Sequence, residues 1–156
     1  MENFNYKTSL LLGEDAVDRL KKAKIAVAGL GGVGSYACEA LARSGVGELI
    51  LIDKDQVDET NLNRQLFALR STVGQQKALL AKARVGDINP ECAVTARTAC
   101  IGEDNVGELI PAGVHCILDC VDMVSAKMAL IRYAKEHGIP IISSMGMGNK
   151  TDPTKI

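Results

Sequence analysis

Lys24-Ile25-Ala26-Val27-Ala28-Gly29-Leu30-Gly31-Gly32-Val33-Gly34 runs from an unbroken apolar stretch into a glycine-rich turn. Lys24 to Ala28 reads as a buried strand, and Ser35 to Ser44 has helical character that stops near Gly45. A second strand, Glu48 to Ile52, follows and is closed by Asp53. Neither strand alternates polar with apolar residues, as is typical of a parallel sheet covered on both faces. The spacing Gly29-x-Gly31-x-x-Gly34 meets three demands of a phosphate-binding turn. Gly29 permits the tight turn, Gly31 lets backbone approach a phosphate, and Gly34 lets the helix pack close to the sheet. The helix start offers free N–H groups to an anion, and Asp53 would accept hydrogen bonds from a ribose. A tight strand-to-helix turn with no ligand can carry the same glycines, and the fingerprint alone does not separate a dinucleotide from ATP.

Working outward, strands are expected at Cys92 to Thr98, His115 to Asp119 and Ile139 to Ser144. Helices are expected at Glu14 to Lys22, Gly74 to Ile88, Gly102 to Ile110 and from about Asp122 to His137. Ala81, Val85 and Ile88 recur at helical spacing in the second of these, as do Val124, Met128 and Ile131 in the last. Asp55 to Thr72 reads as a loop with one short helix around Leu62 to Phe67. This alternation predicts an α/β, Rossmann-like, mostly parallel sheet with helices on both faces. Residues 1–23 are expected to be an N-terminal helical segment, and 24–156 a nucleotide-binding domain truncated at its C-terminus. Thr151-Asp152-Pro153 reads as a turn and Lys155-Ile156 as the opening of a further element, so a fragment of a longer protein is expected.

The 156 residues are 47% hydrophobic and 24% charged, which suits one soluble globular domain. Eighteen Lys and Arg against 19 Asp and Glu leave a net charge of -1, so no long-range field draws nucleic acid or an anionic membrane. An aromatic content of 3% argues against a base-stacking platform. No apolar run approaches the roughly 18 residues of a membrane span, and Met1 to Lys7 lacks a secretory pattern. Five Cys without a CxxC pair fit free thiols in a reducing cytoplasm. Asn149-Lys150-Thr151 is then a chance glycosylation sequon. His115 and His137 have no metal-site partners in spacing and read as structural.

What surrounds the turn separates the ligand classes. Asn61-Leu62-Asn63-Arg64 follows the second strand, and Lys77 stands in the first turn of the next helix. A cation there opposes the helix dipole unless an anion such as a triphosphate is bound. Arg64 could clamp a phosphoryl group with its planar fork and Lys77 could supply a mobile charge; each is otherwise a surface cation. Asp119 ends the fourth strand and Asp122 opens the next helix, and a carboxylate at that lip can hold Mg2+ bridging phosphate oxygens. Asp122 is otherwise a plain helix cap. With Asp122 on the metal, the inferred chemistry is attack of a carboxylate on the α-phosphate of ATP. Cys116 reads as core, and Cys120 as packing rather than thiol chemistry.

Together these residues resemble the ThiF/MoeB/ubiquitin-activating superfamily, whose members adenylate a carboxylate with ATP and Mg2+. The pattern is met by Gly29, Gly31, Gly32 and Gly34, by Asp53, by Asn61 to Arg64, by Lys77 and by Asp122. The resemblance implies that these residues and Asp55 hold ATP, that Arg64, Lys77 and Asp122 serve catalysis, and that Asp122 holds the metal. Within the superfamily the chain is similar to the tRNA threonylcarbamoyladenosine dehydratases. Carrying that likeness are Leu11-Leu12-Gly13, Asn61 to Gln65, Asp87-Ile88-Asn89-Pro90, Gly146-Met147-Gly148-Asn149-Lys150 and Asp152-Pro153-Thr154. It implies adenylation of the threonylcarbamoyl carboxylate of tRNA adenosine 37, followed by a cyclising loss of AMP. It also implies a homodimer in which Lys7, standing where Arg is usual, reaches the other subunit's ATP site, and a possible sulfur-transfer protein partner. The paired CxxC motifs and distal catalytic Cys common among activators of ubiquitin-like proteins are absent.

Three other readings stay open: adenylation of the C-terminus of a ubiquitin-like sulfur carrier, a nicotinamide-dependent oxidoreductase, and a non-catalytic dimerising Rossmann domain. The oxidoreductase needs neither Lys77 nor Asp122, and the non-catalytic domain would exchange no pyrophosphate.

Overall fold

Apolar β-branched runs need cover on two faces, and the chain supplies it with one sheet between two helical layers. A computed structural model describes residues 4–146 and Asp152. Its element order is α1 Tyr6–Leu12, α2 Glu14–Lys22, β1 Lys24–Ala28, α3 Gly34–Arg43, β2 Glu48–Ile52, α4 Lys77–Ile88, β3 Ala93–Arg97, α5 Val106–Leu109, β4 Cys116–Asp119, α6 Val124–Glu136 and β5 Ile141–Ser143. The strands lie in the order β3-β2-β1-β4-β5, every pair parallel, with Ile25 facing Leu49 on one side and Cys116 on the other. This is the α/β class read from the sequence. Among the described residues no helix is long and apolar enough to cross a membrane.

Strand residues alternate between two cores, as the two-residue side-chain period requires. Ala26, Ala28, Ile50, Ile52 and Ile117 pack with Ile110, Leu130 and Ala134 under α5 and α6. Val27, Leu49 and Leu51 pack with Cys38, Ala42, Ala78, Ala81 and Val85 under α3 and α4. The two helices on that side are also tied by charge. Arg84 grips the Glu39 carboxylate with its Nε and Nη2, each at 2.9 Å, and Arg43 donates its Nε to Oε1 at 2.8 Å.

Several elements depart from the sequence reading. α1 lies in the stretch expected to be an N-terminal helical segment, although only Glu14 to Lys22 carries a helical period; it buries no residue, and Leu10, Leu11 and Leu12 all stay exposed. The short helix expected at Leu62 to Phe67 is a run of turns flanked by 3-10 turns at Glu59–Asn61 and Arg70–Thr72. There Asp58 and Asn61 bond local backbone and compete with helix formation. α4 starts at Lys77 because Gly74 has φ +85° and Gln76 bridges to Gln56 in an antiparallel pair. α5 is a single turn, since the Asn105 side chain accepts from Gly102 N–H and donates to the Cys100 carbonyl.

α6 starts at Val124, and Met123 takes its N-cap position without a side-chain cap, so Asp122 caps nothing. The buried face of α6 also differs from the expected one, of whose three residues only Ile131 is half-buried. Ala126, Lys127, Ala129, Leu130 and Ala134 face inward, whereas Val124 is 73% exposed and Met128 is exposed too. Small alanines let the helix lie close to the sheet, and Lys127 turns inward to meet a buried carboxylate.

Two measurements probe this packing. A Cβ at Gly34 would lie 1.8 Å from the Gly29 carbonyl oxygen, whereas one at Gly86, inside α4, meets nothing within 4 Å. Gly34→Ala should lower stability by about 3 kcal/mol, and Gly86→Ala should raise it by about 0.5–1 kcal/mol, both read by denaturant unfolding. Glu39 sits below its ordinary pKa of 4.5, chiefly through the Arg84 hydrogen bond. A depressed folded value means its contribution is complete above the unfolded value and is lost as pH falls through the folded one. Glu39→Gln should therefore lower stability by about 1 kcal/mol at pH 7, and the gap from wild type should close on acidification below about pH 4.5.

Candidate functional site at the strand carboxyl ends

β1 ends in a turn whose first and last glycines are set by packing. Gly29 has φ +83°, its N–H extends the ladder to the Ile52 carbonyl at 2.8 Å, and a Cβ there would meet Cys120 O at 2.8 Å. Gly34 lets the first turn of α3 rest on β1. Gly31 and Gly32 are different. A Cβ at Gly31 would have only Gln65 Nε2, at 3.7 Å, and one at Gly32 only ordinary contact with Arg64, from 3.5 Å. Protein packing does not demand these two glycines, and they leave bare backbone at the turn. No side chain caps α3 among the described residues; Ser35 N–H already donates to the Gly31 carbonyl and Ala37 N–H to that of Val33, each at 3.0 Å, so what this helix start offers an anion is its remaining N–H groups.

Asp53 ties this turn to the next strand. Its Oδ2 accepts from Leu30 N–H at 2.7 Å and its Oδ1 from Asp55 N–H at 2.8 Å. The carboxylate thus clamps the loop first, while each oxygen keeps a further lone pair for a ribose hydroxyl. Asp55 continues the chain of contacts. Its carbonyl accepts from Lys77 N–H at 3.0 Å, and its Oδ2 lies 3.5 Å from Lys77 Nζ. The Lys77 side chain is only 7% exposed. A nearly enclosed ammonium at the first residue of α4 works against the helix dipole, and among the described residues a long ion pair with Asp55 and the nearby Asp58 charge offset it.

Arg64 lies along Gly32, and its Nη1 rests on the Thr60 carbonyl at 3.0 Å and Asn63 Oδ1 at 2.9 Å. Asn61 is buried and shapes the turn that presents Arg64, with Oδ1 accepting from Asp58 N–H at 3.1 Å. Asp58 is held below the ordinary carboxylate range by the Thr60 hydroxyl. Gln65 was missed as a site residue. It is buried, its amide nitrogen points at Gly31, and it makes no side-chain hydrogen bond among the described residues. Only its place beside Arg64 could have flagged it.

The other wall is the segment after β4. Cys120 N–H donates to the Ala28 carbonyl at 2.8 Å, which seats this segment against Gly29. Asp119 is wholly buried and engaged by Lys127 Nζ at 2.9 Å, so it is closed to a metal, contrary to the lip reading. Asp122 is exposed and in no ion pair among the described residues. Among those residues no three His, Cys, Asp or Glu cluster as a metal site. One carboxylate plus phosphate oxygens is nevertheless a usual Mg2+ environment.

Lys7 is not brought here. It is exposed on α1, with Nζ 5.1 Å from the Tyr6 ring centroid, and the neighbouring Asn5 abuts Gly45 beyond the end of α3. His115 Nδ1 accepts from Lys24 N–H at 3.0 Å and His137 stacks on Tyr133, both at the amino ends of strands. Met147 to Lys150, Thr151, and Pro153 to Ile156 lie outside the described residues.

The ThiF family model matches residues 5–156. The chain is 49% identical to a Bacillus subtilis tRNA threonylcarbamoyladenosine dehydratase over 96% of its own length and 59% of that protein. It is 45% identical to the Escherichia coli protein of the same name over 96% of its length and 56% of that protein. It superposes with a TM-score of 0.92 and 42% identity on the crystal structure of E. coli TcdA in complex with ATP, covering 99% of this chain and 65% of that one. The chain thus spans between half and two thirds of the length of these three proteins.

The thiol beside the turn is not primed to react. Burial first, then the neighbouring Asp119 charge, push Cys120 up to about 11, and burial pushes Cys38 up to about 12. Iodoacetamide at pH 8 should therefore modify exposed Cys100 well before Cys38 or Cys120, followed by peptide mass spectrometry.

Proposed function

This chain belongs to the ThiF family, and we propose that it adenylates the threonylcarbamoyl carboxylate of tRNA adenosine 37 and then dehydrates it to a cyclic product. The observation that carries the reading is Lys77, an enclosed cation at a helix start, joined through Asp55 and Asp53 to the Gly29–Gly34 turn. A triphosphate beside it would relieve the opposition of charge and dipole. Bare backbone at Gly31 and Gly32 and the uncapped start of α3 fit the phosphates, and Asp53 is suited to the ribose. This charge arrangement favours ATP over a nicotinamide dinucleotide.

A carboxylate is ionised at neutral pH and needs no general base. Its oxygen bonds to the α-phosphorus, and the bond to the pyrophosphate oxygen breaks. Lys77 and Arg64 would offset charge gathering on the phosphoryl oxygens and the leaving group. Arg64 must leave the Thr60 carbonyl to do so, a side-chain rotation at an exposed position. Mg2+ on Asp122 and the phosphates would supply further charge neutralisation. An internal ureido nucleophile of the activated group then bonds to the acyl carbon and gives up its proton to solvent, and the acyl–oxygen bond to AMP breaks as AMP departs. We assign residues 1–23 as the N-terminal helical segment and 24–156 as the nucleotide-binding domain.

With a net charge of -1, this segment has little to hold RNA. The reading therefore includes a homodimer, in which a second copy brings Lys7 to the crevice and extends the tRNA surface. A cytoplasmic setting fits the free thiols. A sulfur-transfer protein partner is carried as the more distant expectation.

Pyrophosphate exchange by the full-length protein tests the reading. Exchange should rise with tRNA bearing threonylcarbamoyladenosine, and Lys77→Ala or Asp122→Ala should each lower it about 100-fold. Stimulation only by a carrier protein ending in Gly-Gly would transfer the assignment to ubiquitin-like carrier activation. Tighter binding of NAD than of ATP with Mg2+ would remove adenylation altogether.

A further inference from the structure

Asp119 and Lys127 form the most enclosed ion pair among the described residues. Asp119 ends β4 with no exposed surface, and Lys127 sits in the first turn of α6 with its side chain 11% exposed. The ammonium donates to Asp119 Oδ2 at 2.9 Å and to the Ser144 carbonyl at 2.7 Å, with Ser143 Oγ at 3.5 Å. The Ser143 hydroxyl also donates to Oδ2, and Val121 N–H reaches Oδ1 at 3.3 Å.

Stability alone does not account for this pair. A cation in the first helical turn opposes the dipole, and replacing a buried ion pair with apolar residues of similar size is often neutral or stabilising. Charge achieves two things that apolar side chains could not. Oδ1 holds the Val121 amide, one residue before Asp122, while Cys120 is seated on β1 through Ala28. Oδ2 is filled by Lys127 and Ser143, so a second carboxylate near the crevice is kept from binding a metal.

We propose that Lys127 is a positioning residue: by engaging Asp119 it sets the Cys120–Val121–Asp122 lip against the Gly29 turn and leaves Asp122 open to the divalent cation of a nucleoside triphosphate. This rests on the ATP–Mg2+ reading of the site. Lys127 itself touches neither nucleotide nor metal.

The test is calorimetric titration of the full-length protein with ATP, in EDTA and in Mg2+, with amide exchange read at Val121. The double variant Asp119→Leu/Lys127→Met should keep or raise Tm and keep the metal-free ATP affinity. Its Mg2+-dependent gain in affinity should fall about tenfold, with faster exchange at Val121. Lys127→Arg, which retains the charge, should recover most of the gain. A double variant with the full wild-type gain overturns the inference. Should that variant not fold, Ser143→Ala loosens the same network, and an unchanged metal gain there overturns it equally. Loss of the gain in Asp122→Ala with no change in the double variant marks failure of the inference alone. Absence of any gain in the wild type overturns the metal reading and this inference together.

Discussion

The contact on which the site depends is the approach of α3 to the exit of β1. At Gly34 there is no room for a single further carbon, because the Gly29 carbonyl occupies the place. Gly29 in turn has no room because the chain leaving β4 passes over it at Cys120. The end of β1, the start of α3 and the sequence-distant exit of β4 therefore converge on one turn only if two positions carry no side chain. The order β3-β2-β1-β4-β5 puts that turn where the sheet reverses direction of growth, the place where open parallel sheets gather ligands.

Charge is organised around the same turn in a graded way. Asp53 spends its oxygens on two backbone amides, Asp55 links to Lys77 by a long ion pair, and Asp119 is fully occupied by Lys127 and Ser143. Asp122, Asp55 and the Arg64 guanidinium are exposed, and of these Asp122 is in no ion pair among the described residues. Groups bound tightly by the protein build the walls, while those bound loosely by it remain for a ligand.

The strands and the glycine turn were legible because their signals are local. β1, β2 and α2 have the bounds that apolar runs and the helical stripe of Val17 and Leu20 predicted. α6 misled because its larger apolar residues, Val124 and Met128, mark the outer face, while alanines and one lysine fill the inner one. That choice is made by Asp119, which is remote in period though near in space. Lys127 was invisible for the same reason, and Gln65 was visible in the Asn61 to Gln65 motif without a role, since each acquires its place from a partner across the fold. α1 gave no helical period of its own because it buries nothing.

The division of the strands into two separate cores has a further consequence. Lys77 and the glycine turn are mounted on the α3–α4 layer and Lys127 on the α5–α6 layer, and the lip before Asp122 joins them, with Cys120 packed against the first core and Val121 against the second. Away from that lip, side chains on opposite faces of the sheet lie in different cores, so substitutions deep in one core should be energetically additive with those deep in the other. A lineage built on this plan can remodel its α6 side, changing what is presented to the crevice, while the core beneath the glycine turn drifts under a separate set of constraints.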